Sequence, residues 1–308
     1  MKTYKIPHLK KATLLATMLL TSGLFCHAAV IAPGDVSGLT LFLDSQTGIT
    51  TDGSGNVSQW NDQAVHGPYH AVQSNADRRP TYSGAGGGGG SPTLLFDGIG
   101  GSDATQGSYL RADGAQASVT NSLTMFVVFS LHSNSTSMAL VDAGNVNSNL
   151  RGFGLYSHST SGLTVTFKDP GYTNETGTPG NNMTTHPTSI SKDNIALNQF
   201  TVAAVRIESD GSVYLRAGDI STTTNRSLAL TNISGYNDWL AIGSNTPGSW
   251  RLDGAISSVA LYNRALSNEE IDGIYNFMYE TYAIPEPHTA ILLLGVAISS
   301  LTFRLKRC

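Results

Sequence analysis

The chain has 308 residues, of which 13 % are charged and 33 are glycine, and its formal net charge is −4. Against roughly 25 % charged residues in an average soluble protein, this composition excludes a helical or coiled-coil protein and favours turn-rich β structure. Seven of the 18 basic residues lie at the two ends, so the body between Ala29 and Glu286 has 11 basic and 22 acidic residues. Such an acidic body excludes a nucleic-acid binder, which needs a basic surface.

Residues 1–28 have the pattern of a secretory signal peptide. Four lysines in the first eleven residues precede an apolar run from Ala12 to Phe25. Cys26 and Ala28 then supply small residues at the two positions that a signal peptidase reads. The pattern predicts export and cleavage after Ala28.

Short runs of β-favouring residues recur along the body, and turn residues separate them. Some runs alternate apolar and polar residues, as half-buried strands do, whereas Leu123–Leu131 contains a segment that is apolar on both faces. Asp210 and Gly211 predict a tight hairpin. Many short strands at this spacing predict an all-β fold, a two-sheet antiparallel jelly-roll sandwich that forms one domain over residues 29–283. The predicted strands are Leu39–Leu43, Thr93–Phe96, Leu123–Leu131, Met138–Val141, Gly152–Tyr156, Leu163–Phe167, Phe200–Ile207, Val213–Arg216, Leu240–Ile242 and Ala255–Tyr262.

Two segments are predicted to be loops with no role in the core. Gly86–Gly90 is a run of five glycines, which predicts a loop too flexible to hold a shape. His158–Ser161 and Asp169–Asp193 are polar or rich in Thr, Asn, Gly and Pro. They predict a surface insertion of the kind that often carries a binding site.

One helix is predicted inside the body. Ser267 is a good N-cap residue, and Glu270 follows three residues later, which is the spacing of a capping box. Apolar residues then recur at helical spacing and predict a face that packs on the sandwich, with Pro285 ending the run. These apolar residues are Ile271, Ile274, Tyr275, Met278 and Tyr282.

The last residues, 284–308, combine three unlike features. The tripeptide Pro285, Glu286 and Pro287 precedes an apolar stretch, Ala290–Phe303, and a basic end. The apolar stretch has fourteen residues where a membrane span needs about 20, but its flanking residues extend it. The segment therefore predicts a short membrane helix whose basic end stays in the cytoplasm.

In this fixed order, the tripeptide, apolar stretch and basic end resemble the bacterial PEP-CTERM sorting signal. The resemblance implies that an exosortase-type membrane protease recognises Pro285, Glu286 and Pro287. It also implies transient membrane anchoring, followed by delivery to the cell surface or to an extracellular exopolysaccharide matrix. The signal peptidase and the exosortase are thus the two expected processing partners.

The two cysteines lie in these end segments, at Cys26 and Cys308. The exported body then contains no cysteine, which excludes disulfides, a thiolate nucleophile and thiolate zinc ligands. Its stability must come from a hydrophobic core, and about 258 residues are enough to build one.

Three stretches of the body resemble the laminin-G-like, concanavalin A-like jelly roll of bacterial surface proteins. The first runs through Gly38–Asp44 to Val57–Asp62, and the second combines Arg79–Tyr82 with Leu95–Gly98. The third and most specific runs from Leu252 through the sequence YNRALS to Glu270. The resemblance implies a two-sheet sandwich of roughly a dozen strands, but no single function.

The same fold houses laminarinase-type glycosidases, which place their carboxylates in a Glu-x-Asp-x-x-Glu pattern on one strand. The body has no such pattern among Glu175, Glu208, Glu269, Glu270, Glu280 and Glu286. Asp44, Asp62 and Asp97 each stand where a strand enters a turn, which predicts Asx caps. The histidines are scattered and predicted to lie on the surface: His66, His70, His132, His158 and His186. We therefore assign no catalytic residue.

The sequence also offers candidate ligand-binding residues. Asp103 and Asp142 are candidate ligands for calcium, which prefers hard oxygen donors. Trp250, Tyr172 and Tyr236 lie in turns or loops and are candidates for sugar binding by an exposed aromatic ring. In contrast, Trp60 and Trp239 are predicted to lie in the core.

The leading functional hypothesis is a non-catalytic, exported glycan-binding or matrix-interaction module. Two alternatives remain: a polysaccharide-degrading enzyme with an unrecognised site, and a purely structural matrix protein.

Overall fold

The computed structural model describes residues 29–65, 68–98, 107–144, 152–169, 188–225, 229–234, 238–245 and 250–284. The predicted signal peptide and the tail from Pro285 onward, including the tripeptide and the apolar stretch, lie outside these residues. Among the described residues, none of the helices has the length and apolar character that a membrane crossing requires.

The described residues form two antiparallel sheets, which confirms the all-β sandwich. In the eight-stranded sheet the strand order is β15-β14-β13-β8-β17-β6-β5, and β1 also pairs with β17. Its strands are β1 (Leu39–Asp44), β5 (Thr81–Ser83), β6 (Thr93–Asp97), β8 (Leu123–Leu131), β13 (Thr201–Ile207), β14 (Val213–Ala217), β15 (Ile220–Thr224) and β17 (Asp253–Tyr262).

The nine-stranded sheet of the described chain packs against the first sheet. Its strand order is β12-β11-β10-β9-β16-β7-β4-β3-β2. Its strands are β2 (Ile49–Thr51), β3 (Val57–Trp60), β4 (Ala71–Val72), β7 (Leu110–Asp113), β9 (Met138–Asp142), β10 (Gly152–His158), β11 (Gly162–Lys168), β12 (Thr188–Ile190) and β16 (Trp239–Ile242).

The main hydrophobic core lies between the two sheets. As predicted, Trp60 is buried there, and its indole Nε1 donates a hydrogen bond to the carbonyl oxygen of Asp44 at 2.9 Å. Strand β8 is buried on both faces: Val127 points into this core, while Phe126 points to the opposite side. The second side of β8 is buried because a helix covers it.

That helix, α1 (Asn268–Met278), begins with the predicted capping box. Ser267 accepts a hydrogen bond from the Glu270 backbone, and the Glu270 carboxylate accepts one from the Ser267 backbone. Arg264 holds the same carboxylate with two hydrogen bonds, of 2.6 and 3.0 Å. The α-helix ends earlier than predicted, at Met278, and a wider π-helical turn, Tyr279–Ala283, follows it.

The amino-terminal segment of the sandwich crosses helix α1. The Ile31 backbone N–H donates to the Gly273 carbonyl oxygen at 3.1 Å. A Cβ atom at position 273 would lie 2.5 Å from Cδ1 of Ile31, so any residue larger than glycine would force the Ile31 side chain to move. The buried Tyr262 hydroxyl donates to the Pro33 carbonyl oxygen at 2.8 Å and ties the same segment to β17.

Both loop predictions need correction. Gly88 lies in a 3₁₀ turn packed against the π-helical turn, where a Cβ would overlap the Tyr282 carbonyl oxygen. The glycine run therefore has a packing role, because no larger residue fits at Gly88.

The predicted surface insertion is in part a strand of the sheet, Thr188–Ile190. Asp169, at its start, is buried and accepts hydrogen bonds from the Thr231 backbone and hydroxyl. Residues 170–187 lie outside the described residues.

Candidate functional site

Two of the three aspartates at strand ends, Asp44 and Asp62, are turn caps as predicted, and Asp97 is not. The Asp44 and Asp62 carboxylates each accept a hydrogen bond from the backbone N–H two residues further on, at 2.8 and 2.9 Å. The Asp97 carboxylate accepts one from the Ser108 backbone at 2.8 Å. The Asp44 and Asp62 carboxylates therefore cap local turns, whereas Asp97 ties the end of its strand to Ser108, eleven residues further along the chain.

Two glutamates of the described chain form ion pairs with arginines. Glu208 pairs with Arg206 at 3.0 Å, and Glu270 is the capping-box residue held by Arg264. Both carboxylates thus have a structural role, in an ion pair with a neighbouring arginine.

Of the three candidate sugar-binding aromatics, the structure describes Trp250; Tyr172 and Tyr236 lie outside the described residues. Trp250 packs against the outer face of the nine-stranded sheet, which is the face opposite to helix α1. Its side chain is partly exposed rather than fully displayed.

Trp250 belongs to an aromatic cluster with Tyr156 and His158 of β10. Phe153 and Leu155 of this strand point into the core, so Tyr156 and His158 point outward by the alternation of a β-strand. The Trp250 ring meets the Tyr156 ring at 5.7 Å and 86°, and the His158 ring at 5.2 Å and 81°. Edge-to-face contacts at these distances are favourable and fix the rings relative to one another.

The backbone of Trp250 adopts an unusual conformation. Its φ is +50°, in the left-handed region that bulky residues rarely enter. Its carbonyl oxygen accepts a hydrogen bond of 2.7 Å from the Ala139 backbone N–H, which anchors the segment to β9. Such conformations cost about 1–3 kcal/mol and are concentrated at functional sites. The strain therefore favours a functional role for Trp250 over a passive one.

Beneath the cluster, Tyr156 is bound to a buried carboxylate. Its hydroxyl donates to Oδ1 of Asp142 at 2.6 Å, and both side chains are buried. The ring turns back over Gly154, where a Cβ would overlap it. Burial, and then the Asp142 charge, raises the pKa of Tyr156 well above its ordinary value, so the phenol stays a hydrogen-bond donor.

The calcium candidates are not brought together with further ligands in the described chain. Asp103 lies outside it, and no three His, Cys, Asp or Glu residues within it are placed to hold a metal ion. One carboxylate oxygen of Asp142, Oδ1, accepts the hydrogen bond from the Tyr156 hydroxyl. A calcium site at Asp103 or Asp142 stays a prediction.

The surface prediction for His158 is wrong, because Trp250 and Tyr156 half-bury its ring. Its Nδ1 lies 3.2 Å from the Ser137 hydroxyl oxygen. Burial lowers the pKa of His158 below its ordinary value of about 6.5, so the imidazole is neutral at neutral pH. A neutral imidazole and a hydroxyl beside an indole can exchange hydrogen bonds with a polar ligand.

The core prediction for Trp239 is also wrong. Trp239 lies half-buried on the outer face of β16, and the Arg111 guanidinium carbon is 4.7 Å from its ring centroid. Arg111 in turn pairs with Asp113 of the same strand. This cation–π contact stabilises the indole outside the core.

This architecture is an antiparallel β-sandwich with a cluster of polar and aromatic groups on the outer side of one sheet. The family model for the concanavalin A-like lectin/glucanases superfamily matches residues 103–272, more than half of the chain. The chain therefore belongs to this superfamily, which confirms the resemblance seen in its sequence. Comparison with curated proteins found no match.

Solved structures that resemble the chain have low sequence identity to it. An arabinofuranosidase complexed with arabinofuranosyl-α-1,2-xylobiose gives a TM-score of 0.53 at 11 % identity, over 82 % of this chain and 66 % of that one. Domain 4 of a Geobacillus stearothermophilus extracellular arabinanase, in complex with arabinotriose, gives 0.49 at 12 %, over 78 % and 97 %. The CBM40 of a Ruminococcus gnavus sialidase, bound to α2,3-sialyllactose, gives 0.42 at 17 %, over 59 % and 97 %. At such identities these likenesses concern the fold alone.

Proposed function

We propose that this protein is an exported, non-catalytic glycan-binding module, and that the aromatic cluster at Trp250 is its binding site. The observation that carries the proposal is the strained, partly exposed indole, which contacts the Tyr156 and His158 rings on the outer side of the nine-stranded sheet. A sugar ring packs its apolar C–H face on such an indole and directs its hydroxyls sideways. His158 and Ser137 stand beside the indole and can bond those hydroxyls.

The rigidity of the cluster supports binding rather than simple packing. Trp250 is fixed by its backbone bond to Ala139, and Tyr156 is fixed by its bond to Asp142. A ligand that meets rings already in place loses little side-chain freedom on binding. The superfamily, whose description names lectins and glucanases, also makes a carbohydrate the natural class of ligand.

The end segments supply the delivery route of this proposal. The signal peptide, residues 1–28, directs export, and the tail, residues 284–308, is sorted by an exosortase that reads Pro285, Glu286 and Pro287. The protein then acts at the cell surface or in the extracellular matrix, where polysaccharide is the expected partner. Replacing the tripeptide by alanines in the native host should leave an unprocessed, membrane-retained form, and normal processing would contradict this route.

A polysaccharide panel tests the binding function directly. The full chain is run through gels that contain mannan, arabinoxylan, β-glucan, polygalacturonate or alginate, and its retardation is compared with that in a gel without polysaccharide. We expect retardation by at least one polysaccharide and no new reducing ends after long incubation. New reducing ends would contradict the proposal and support the alternative of a polysaccharide-degrading enzyme. The absence of any retardation would favour the alternative of a structural matrix protein.

A further inference from the structure

A second concave site lies on the opposite side of the sandwich. It is a cleft of about 300 Å³ between the turn that joins β14 to β15 and the end of helix α1. The turn contributes Gly218 and Asp219, and the helix end contributes Tyr275, Tyr279 and Glu280. This volume is at the lower end of the range for small-molecule sites, enough for one or two sugar rings.

The floor of the cleft is rigid. The Arg216 guanidinium stacks 3.7 Å from the Tyr275 ring centroid and pairs with Asp272 at 2.9 Å. The Tyr275 hydroxyl donates to the Gly218 carbonyl oxygen at 2.9 Å, which joins the helix to the β14–β15 turn. Burial raises the pKa of Tyr275 to about 12, so this donor is retained at neutral pH. The concave shape is therefore fixed before any ligand arrives.

The rim of the cleft carries the features that a sugar needs. Tyr279 and Ile284 are 44 % and 40 % exposed, and Tyr279 is the one aromatic side chain among the large exposed apolar residues of the described chain. The carboxylates of Asp219 and Glu280 lie beside this apolar surface, and no described basic residue forms an ion pair with them. An aromatic ring with neighbouring hydrogen-bond acceptors favours a hydroxyl-rich ligand, and two negative charges disfavour an anionic one.

We propose that this cleft is a second glycan-binding site, for neutral chains, and that the module cross-links polysaccharide through its two sites. The inference rests on the proposed function of the Trp250 site. The two sites cannot serve one sugar, because Tyr279 lies on the helix-covered face and Trp250 on the other. The two sheets alone are about 10 Å apart, and the helix adds a further layer. Two chains bound on opposite faces are therefore bridged.

The test uses the full chain with a soluble neutral polysaccharide that retards it in the gel panel, and with polygalacturonate as the anionic counterpart. We expect wild-type protein to make the neutral polysaccharide solution turbid by cross-linking. Tyr279→Ala should abolish the turbidity and weaken apparent binding about tenfold or more through loss of bivalency. Tyr279→Phe keeps the ring and should restore both. Because Tyr279 is exposed, its replacement should leave the urea midpoint nearly unchanged.

The outcomes separate this inference from the proposed function. If Trp250→Ala weakens binding while Tyr279→Ala changes neither turbidity nor affinity, the second site is overturned and the first stands. If Tyr279→Ala abolishes binding while Trp250→Ala does not, the cleft is supported and the Trp250 site is overturned. If no polysaccharide retards the wild type, both are overturned. Asp219→Asn combined with Glu280→Gln should admit polygalacturonate, and continued exclusion would contradict the charge argument.

Discussion

The two outer faces of the sandwich are built on different principles. On the eight-stranded sheet, Phe126 and Val128 lie under the apolar face of helix α1, where Ile274 and Met278 are buried. On the nine-stranded sheet, the aromatic cluster lies over a buried Tyr156–Asp142 hydrogen bond. The first face gains stability from apolar burial, whereas the second bears the costs of a buried carboxylate and of a strained tryptophan. These costs support the proposed binding role of the second face.

The largest expected effect concerns the helix-covered face. Met278→Ala removes a fully buried side chain between α1 and the sheet, so we expect the free energy of unfolding to fall by about 2–5 kcal/mol. Urea unfolding followed by circular dichroism measures this loss. The control is Val65→Ala, because the Val65 side chain is 88 % exposed and its loss should change stability by less than about 0.5 kcal/mol. Equal losses of unfolding free energy in the two variants would contradict the claim that apolar burial under helix α1 stabilises the fold.

An intermediate effect is expected from the buried polar pair on the opposite face. Tyr156→Phe keeps the ring over Gly154 but removes the hydrogen bond to the Asp142 carboxylate. A hydrogen bond to a charged group contributes about 1.5–3 kcal/mol, so unfolding should become easier by that amount. The same urea titration checks it, with Tyr279→Phe as an exposed control. No loss of stability would show that the pair carries no net energy, which would sharpen the contrast between the faces.

The smallest effect is an acid dependence at the start of helix α1. The Arg264 guanidinium, as the first cause, lowers the pKa of Glu270 below its ordinary value. A carboxyl group with a lowered pKa adds stability that is fully present above the ordinary glutamate pKa, about 4.3, and is lost as the pH falls through the lowered pKa. The pair is about one-third exposed, so this contribution should stay below about 1 kcal/mol.

Glu270→Gln tests this dependence. Unfolding free energies measured between pH 7 and pH 2 should fall less steeply at the acid end for the variant than for the wild type. Because Gln can still accept the Ser267 backbone hydrogen bond, the capping box is largely preserved. Parallel pH curves for the two proteins would contradict a role of Glu270 ionisation in holding the helix on the sheet.

Much of the fold could be predicted from local sequence patterns. Strand β8 and the capping box of α1 were predicted because a long apolar run and the Ser267–Glu270 spacing are local signals. Several short strands were not predicted; β4, for example, has only two residues, Ala71–Val72, and depends on its neighbours in the sheet. The role of Gly88 was missed for the same reason, because its partner, Tyr282, is distant in the sequence.

The candidate site was only partly predictable. Trp250 was identified from its turn, but His158 was assigned to the surface and Tyr156 was not considered. These residues lie about 90 positions from Trp250 and meet it only through the pairing of β10 with β9. The alternation of Tyr156 and His158 on one face of a strand was the signal available in the sequence. Tyr279 was not among the residues of the predicted packing face, and the π-helical turn that begins at Tyr279 was not predicted.

The most direct test of the central claim compares two tryptophans on the same sheet face. Trp250→Ala and Trp239→Ala are measured, in the full chain, for retardation by the polysaccharide that retards the wild type most. We predict that Trp250→Ala weakens retardation about tenfold or more under conditions in which circular dichroism shows the variant to be folded, whereas Trp239→Ala leaves retardation within about twofold of wild type. Wild-type retardation in Trp250→Ala would contradict the claim that the aromatic cluster binds glycan.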